Sequence, residues 1–270
     1  MTRHWKFSLL ALSIAFGSTA NVFAQGPTLT TIDFPGASTT TPWAINNRGD
    51  IAGLYVGADK LTHGFLLSAG QYTTIDYPGA SGTEIYGINS AGDIVGVYVL
   101  DGIRRAFLLK GNQFTKIDFP GAATTETGGI NARGDIVGLY AGADKVTHGF
   151  LLTGNQYSMI DFPGAPSSFP SGINAQGEIA GNCCTVPTGY LLSEGEFSSW
   201  TIPGATFTNT TGLNARGDIV GRYLASGLSH GYVRIDGQMS TIDSRAPLLA
   251  ASRASIRGAT SWDDIAMPTA

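Results

Sequence analysis

One pattern written five times constrains this chain more than any single residue does. Ile-Asp-Phe-Pro-Gly-Ala stands at 32–37, 117–122 and 160–165, Ile-Asp-Tyr-Pro-Gly-Ala at 75–80, and a worn copy at Ile202-Pro203-Gly204-Ala205. The prolines step by 43, 42, 43 and 40 residues. A second motif keeps the same phase, from Asn46 with Gly49-Asp50-Ile51, through Asn89, Asn131 and Asn174, to Asn214 with Gly217-Asp218-Ile219. A third, typified by His63-Gly64-Phe65-Leu66-Leu67, closes each unit. Three signals in one phase mark tandem structural units, and a period of about 42 residues belongs to an array, a solenoid or a propeller.

Each unit reads as four short strands. In the second unit they fall near 83–89, 93–99, 105–110 and 113–119, rich in β-branched and aromatic side chains and bounded by turn residues. An Asn-x-x-Gly turn joins the first two strands and a two-residue link such as Gly111-Asn112 joins the last two, both of them hairpin chemistry. Four antiparallel strands repeated five times predict an all-β fold, a five-bladed β-propeller, because radial packing hides the edges that an open array exposes. The predicted organisation is one propeller domain over 25–246, with repeats at about 38–80, 81–122, 123–165, 166–205 and 206–246. An extra N-terminal strand at 28–37 is expected to close the ring, and 247–270 is a C-terminal tail. The 37 glycines and the low share of charged residues, 13%, suit turn-rich β-structure rather than disorder.

Arg3, His4 and Lys6 precede an apolar run from Phe7 to Phe16 and then Val22-Phe23-Ala24, the layout of a secretory signal peptide cleaved after Ala24. The run is too short for a permanent span, and no later stretch approaches the ~20 apolar residues that a membrane helix needs. The expectation is a secreted or periplasmic protein without a membrane anchor. With 16 basic against 20 acidic residues the chain carries a net charge of −4, which argues against nucleic acid as a partner.

The set Ile-Asp-Phe-Pro-Gly-Ala, Ile-Asn-x-x-Gly-Asp-Ile-x-Gly-x-Tyr and His-Gly-Phe-Leu-Leu resembles the bacterial HAF family of probable extracellular repeats, over about residues 28–243. The resemblance implies an exported repeat protein and no assigned activity. The family's His-Ala-Phe position reads His-Gly-Phe, Arg-Ala-Phe or Thr-Gly-Tyr here, so no residue role carries over.

A ring of like units acquires a single site only where one unit departs from the others. Six places after each motif proline the column reads Thr41, Glu84, Glu126, Phe169, Asn209, and two places on it reads Trp43, Tyr86, Gly128, Ser171, Thr211. Glu84 and Glu126, beside Trp43 and Tyr86 at the start of the strand expected nearest the axis, are the materials of sugar handling. Acids bond hydroxyls and rings stack on the apolar face of a pyranose, and two carboxylates at the right separation can hydrolyse a glycoside. Arg104 and Arg105, near Asp101, form a second candidate cluster for an acidic ligand. Cys183 and Cys184 replace the tyrosine found at 55, 98, 140 and 223 and form a vicinal disulfide in an oxidising compartment.

Two repeated sets have plainer readings. The motif acids, Asp76 and Asp50 among them, suit turn chemistry. His63, His148 and His230 share a column, but their expected distance from the axis spreads them too far apart for one metal. No nucleophile elbow, phosphate loop, zinc motif or dinucleotide fingerprint is present, so no cofactor is expected. The leading function class is a non-enzymatic binding or interaction module for a glycan or an exported or cell-surface protein. The alternatives are a glycoside hydrolase-like enzyme using Glu84 and Glu126, and a structural surface-interaction protein.

Overall fold

The computed structural model describes residues 30–184 and 186–242. The signal segment to Ala24 and the tail at 247–270 therefore lie outside the described residues. The first sheet holds β1 (Thr39–Ile45), β2 (Ile51–Val56), β3 (Thr62–Ser68) and β4 (Gln71–Ile75). The second holds β5 (Gly82–Ile88), β6 (Ile94–Leu100), β7 (Ile103–Lys110) and β8 (Gln113–Ile117). The third holds β9 (Thr124–Ile130), β10 (Ile136–Ala141), β11 (Thr147–Thr153) and β12 (Gln156–Ile160). The fourth holds β13 (Ser168–Ile173), β14 (Ile179–Cys183), β15 (Thr188–Ser193) and β16 (Glu196–Thr201). The fifth holds β17 (Ala205–Leu213), β18 (Ile219–Ala225), β19 (Leu228–Ile235) and β20 (Gln238–Ile242).

Every sheet is an antiparallel meander in chain order, and the first strands touch one another from blade to blade, so they line the axis. This is a five-bladed β-propeller.

The repeated motifs explain the blades. The third-strand aromatics Phe65, Phe107, Phe150, Tyr190 and Tyr232 are buried almost completely and fill the spaces between sheets. The aromatic of each Ile-Asp-aromatic-Pro-Gly linker reaches forward into the blade that follows: Phe34 stacks on Tyr55 with ring centroids 3.7 Å apart, Tyr77 on Tyr98 at 3.6 Å and Phe119 on Tyr140 at 3.6 Å. In the Asn-x-x-Gly-Asp turn, the Asn46 side-chain oxygen accepts from the Arg48 and Asp50 amides at 2.9 and 3.0 Å, and its Nδ2 donates to Asp50 at 2.9 Å. One buried asparagine thus satisfies the turn, which is why the motif recurs in every unit.

Two expectations need correcting. Residues 30–37 form no strand; Phe34 packs on Tyr55 of the first blade, and the fourth place of the fifth blade is held by β20, paired to β19 with Gly231 opposite Ile242. The linker aromatic draws that segment forward onto the first blade rather than back onto the last. The linker acids also do more than cap turns. Asp76 Oδ2 bonds His63 Nδ1 at 2.8 Å and Asp161 bonds His148 Nδ1 at 2.9 Å, with Asp59 and Asp144 on the other ring nitrogens.

Each first strand carries a β-bulge at the same place, between Pro42 and Ala44, Ile85 and Gly87, Thr127 and Gly129, Pro170 and Gly172, and Thr210 and Gly212, and β17 carries a second between Ala205 and Phe207. The extra residue is Trp43, Tyr86, Gly128, Ser171 or Thr211, and a bulge re-aims such a side chain. The bent backbone presses against the neighbouring strand, where a Cβ at Gly96 would collide with the Glu84 carbonyl oxygen and the Phe107 ring. This close approach accounts for the glycine of the Asp-Ile-x-Gly motif.

Candidate functional site

The residues that break the fivefold pattern meet at one end of the ring, where fourth strands lead to first strands and second strands to third. Glu84 is the third residue of β5, Glu126 holds the same place in β9, and Arg104 is the second residue of β7. β7 lies two strands from β5, about 10 Å at the usual strand spacing, a gap that an arginine and a glutamate reaching toward each other can bridge. Arg104 does so in both directions. Its Nη1 donates to Glu84 Oε1 at 3.0 Å and Nη2 to Glu84 Oε2 at 3.1 Å, while Nε donates to Glu126 Oε1 at 2.9 Å. The matching residues in other blades include Thr62, Thr147 and Ser229, too short to span the gap, so among the described residues the bridge stands only between the second and third blades.

Tyr86, aimed by its bulge, completes the cluster. Its hydroxyl donates to Glu84 Oε2 and accepts from Arg104 Nη2 at 3.2 Å. The Trp43 ring meets Tyr86 edge to face with centroids 5.7 Å apart and keeps 43% of its surface exposed. An exposed indole therefore stands beside a half-buried set of two carboxylates, one guanidinium and one phenol.

The electrostatics are set by the arginine. Burial pushes the Glu84 carboxyl up, but the hydrogen bonds from Arg104 and Tyr86 outweigh it and hold the group below the usual carboxylate range. Bonding to Glu84 holds the Arg104 guanidinium charged, and burial together with the Glu84 charge keeps the Tyr86 phenol protonated far above neutral pH. Glu84 is thus a fixed acceptor. It is not a proton donor at neutral pH.

Of the residues singled out in the sequence, the structure brings Trp43, Glu84, Tyr86, Arg104 and Glu126 together and separates Arg105 from them. Arg105 takes the column of His63 and His148, but its buried Nε has no hydrogen-bond partner among the described residues, and the linker acid it would match, Asp118, pairs with Lys116. Arg104 and Arg105 both line a cleft of about 200 Å³ that also takes in Asp118 and Thr125. Sequence reasoning placed Arg104 in a cluster apart from the glutamates. The available signal was that Glu84, Arg104 and Glu126 are each exceptions in their columns. Cys183 and Cys184 are disulfide-bonded to each other with Cα atoms 3.7 Å apart. Among the described residues, no group of His, Cys, Asp and Glu is arranged to hold a metal ion, and no helix is long and apolar enough to cross a membrane.

No protein-family pattern matches the chain, and no curated protein matches it in sequence. Solved structures do match in shape. TolB from Acinetobacter baumannii aligns with a TM-score of 0.60 at 14% identity, covering 80% of this chain and 55% of that one. AofleA from Arthrobotrys oligospora aligns at 0.51 with 16% identity, covering 76% of this chain and 71% of that one. The Aleuria aurantia lectin, described as a six-bladed propeller with a novel mode of fucose recognition, aligns at 0.49 with 16% identity over 76% of each chain. This chain spans about half the length of TolB. At such identities the likeness concerns the fold.

Proposed function

We propose that this chain acts outside the cytoplasm as a non-enzymatic binding module, and that the surface around Trp43, Tyr86, Glu84, Arg104 and Glu126 takes a glycan. The observation that carries the reading is the double engagement of Arg104. A sugar site needs hydrogen-bonding groups fixed in place beside an exposed ring that stacks on the apolar face of a pyranose. The arginine fixes both carboxylates, and Trp43 supplies the ring. Hydrolysis asks for the opposite arrangement, one carboxylic acid held protonated and a second carboxylate free to attack or to activate water. Arg104 opposes both conditions. The leader pattern of Arg3, His4 and Lys6 ahead of an apolar run and Val22-Phe23-Ala24 supports the extracytoplasmic setting.

Native mass spectrometry of the exported protein with a mixed oligosaccharide library tests this. Adducts without new product masses are expected, with affinity reduced about tenfold by Trp43→Ala, the equivalent of about 1.4 kcal/mol. Product masses that vanish with Glu84→Gln would overturn the non-enzymatic reading. Absence of adducts across the library would overturn the glycan and leave a protein partner.

A further inference from the structure

The first and third blades carry the same polar device near the start of the third strand. His63 and His148 stand opposite the second-strand tyrosines Tyr55 and Tyr140, and each imidazole lies between two carboxylates. Nδ1 bonds the linker acid, Asp76 at 2.8 Å or Asp161 at 2.9 Å, and Nε2 bonds an acid of the loop between second and third strands, Asp59 or Asp144, at 3.1 Å in both.

The second blade keeps the place and changes every member. Arg105 stands there, opposite Tyr98. The loop that supplies Asp59 in the first blade, at 57–61, gives way to a tight turn in which Leu100 pairs with Ile103, and the acid of that turn, Asp101, is exposed. The linker acid Asp118 is taken by Lys116, where the first and third blades have Thr74 and Met159. Arg105 is left with no ion-pair partner among the described residues, and its buried Nε has no acceptor.

A guanidinium offers five N–H donors in a fork that fits a carboxylate, and it cannot shed its charge. Half-burying one without an anionic acceptor costs free energy. Arg105 also borders open space: with Arg104, Asp118, Thr124 and Thr125 it lines the cleft of about 200 Å³. At the ~30 Å³ that a water occupies in the liquid, this volume holds a carboxylate and part of the ring that bears it. The cleft shares Arg104 with the glutamate cluster, but that side chain is committed to Glu84 and Glu126. Anion recognition therefore falls to Arg105, and the charge of Asp118 is countered by Lys116.

We infer that this cleft takes the carboxylate of a uronic acid, which pairs with Arg105 as Asp59 and Asp144 pair with His63 and His148. The inference rests on the glycan reading given above and narrows it to acidic glycans, with one residue in the cleft and the chain continuing past Arg104 toward Tyr86 and Trp43.

Titration calorimetry on the exported full chain tests this with oligosaccharides of galacturonic and of glucuronic acid, each paired with its methyl ester, which keeps the ring and loses the charge. At least one acid is expected to bind about tenfold or more tighter than its ester, the size of one charge-assisted hydrogen bond, and Arg105→Gln should bring the two affinities together. Should Arg105→Gln not fold, acid against ester on the unaltered chain still decides. Equal affinity of acid and ester, no binding by either acid, or a preference that survives Arg105→Gln overturns the inference. Adducts with neutral oligosaccharides would in those cases keep the glycan reading standing. Binding of a peptide rich in Asp and Glu where no sugar binds would overturn both in favour of a protein partner.

Discussion

Replacing Arg104 with methionine keeps an unbranched, flexible stem and removes the charge that joins Glu84 to Glu126. In the fully buried limit, breaking such a pair costs about 3–5 kcal/mol; at the surface an ion pair contributes about 0–1 kcal/mol. The side chains of Arg104, Glu84 and Glu126 are 36%, 20% and 27% exposed, which places them between those limits. Discounted for solvent screening, the expected loss is about 2 kcal/mol at neutral pH.

The pH dependence distinguishes this from a simple packing defect. With Arg104 present, the folded-state pKa of Glu84 is depressed. Its contribution is present above the unfolded value of about 4.3 and is lost as pH falls through the folded pKa. Without the arginine, burial and the neighbouring Glu126 raise the folded pKa, so the variant loses stability as pH climbs through the unfolded value toward the raised one. Urea unfolding from pH 4 to pH 7 at low ionic strength should show the deficit shrinking on acidification, and Arg104→Met combined with Glu84→Gln should recover about half of it. A neutral-pH deficit under about 0.5 kcal/mol, or one that is flat with pH, refutes the argument that Arg104 neutralises the pair.

Two further outcomes follow from the repeated elements. Asn131→Ala strips partners from the part-buried Arg133 amide, the buried Asp135 amide and the Asn174 carbonyl and should cost about 3 kcal/mol, read as a lowered urea midpoint with unchanged slope; a cost under about 1 kcal/mol contradicts the role given to the turn asparagine. For His148, bonds to Asp161 and Asp144 raise the folded pKa, and for His63 burial lowers it but Asp76 and Asp59 prevail. Their contribution should be complete below the unfolded value of about 6.5 and fade as pH rises through the raised folded pKa, a slope that His63→Gln with His148→Gln should abolish if these contacts cause it.

The unit length, the four strands of each blade and the tight turns were legible from local chemistry: alternating β-branched and aromatic residues, Asn-x-x-Gly, and links such as Gly111-Asn112. Strands expected near 93–99 and 113–119 stand at 94–100 and 113–117, because turn residues bound them in the chain itself. The candidate residues Trp43, Glu84, Tyr86 and Glu126 were also visible, as departures from columns that phase alone defines.

What the chain could not disclose by itself is which departures touch. Arg104 reads as a neighbour of Asp101 and Arg105 in sequence, yet strand register carries it across two strands to Glu84 and across a blade boundary to Glu126. The bulge that turns Tyr86 into the cluster, the pairing of Asp76 with His63, and the forward packing of Phe34 onto Tyr55 are likewise relations between elements. Repetition and turn chemistry act within a few residues of one another and so are written in the sequence. The charge state of Glu84 depends on distances that exist only once the blades are set around an axis.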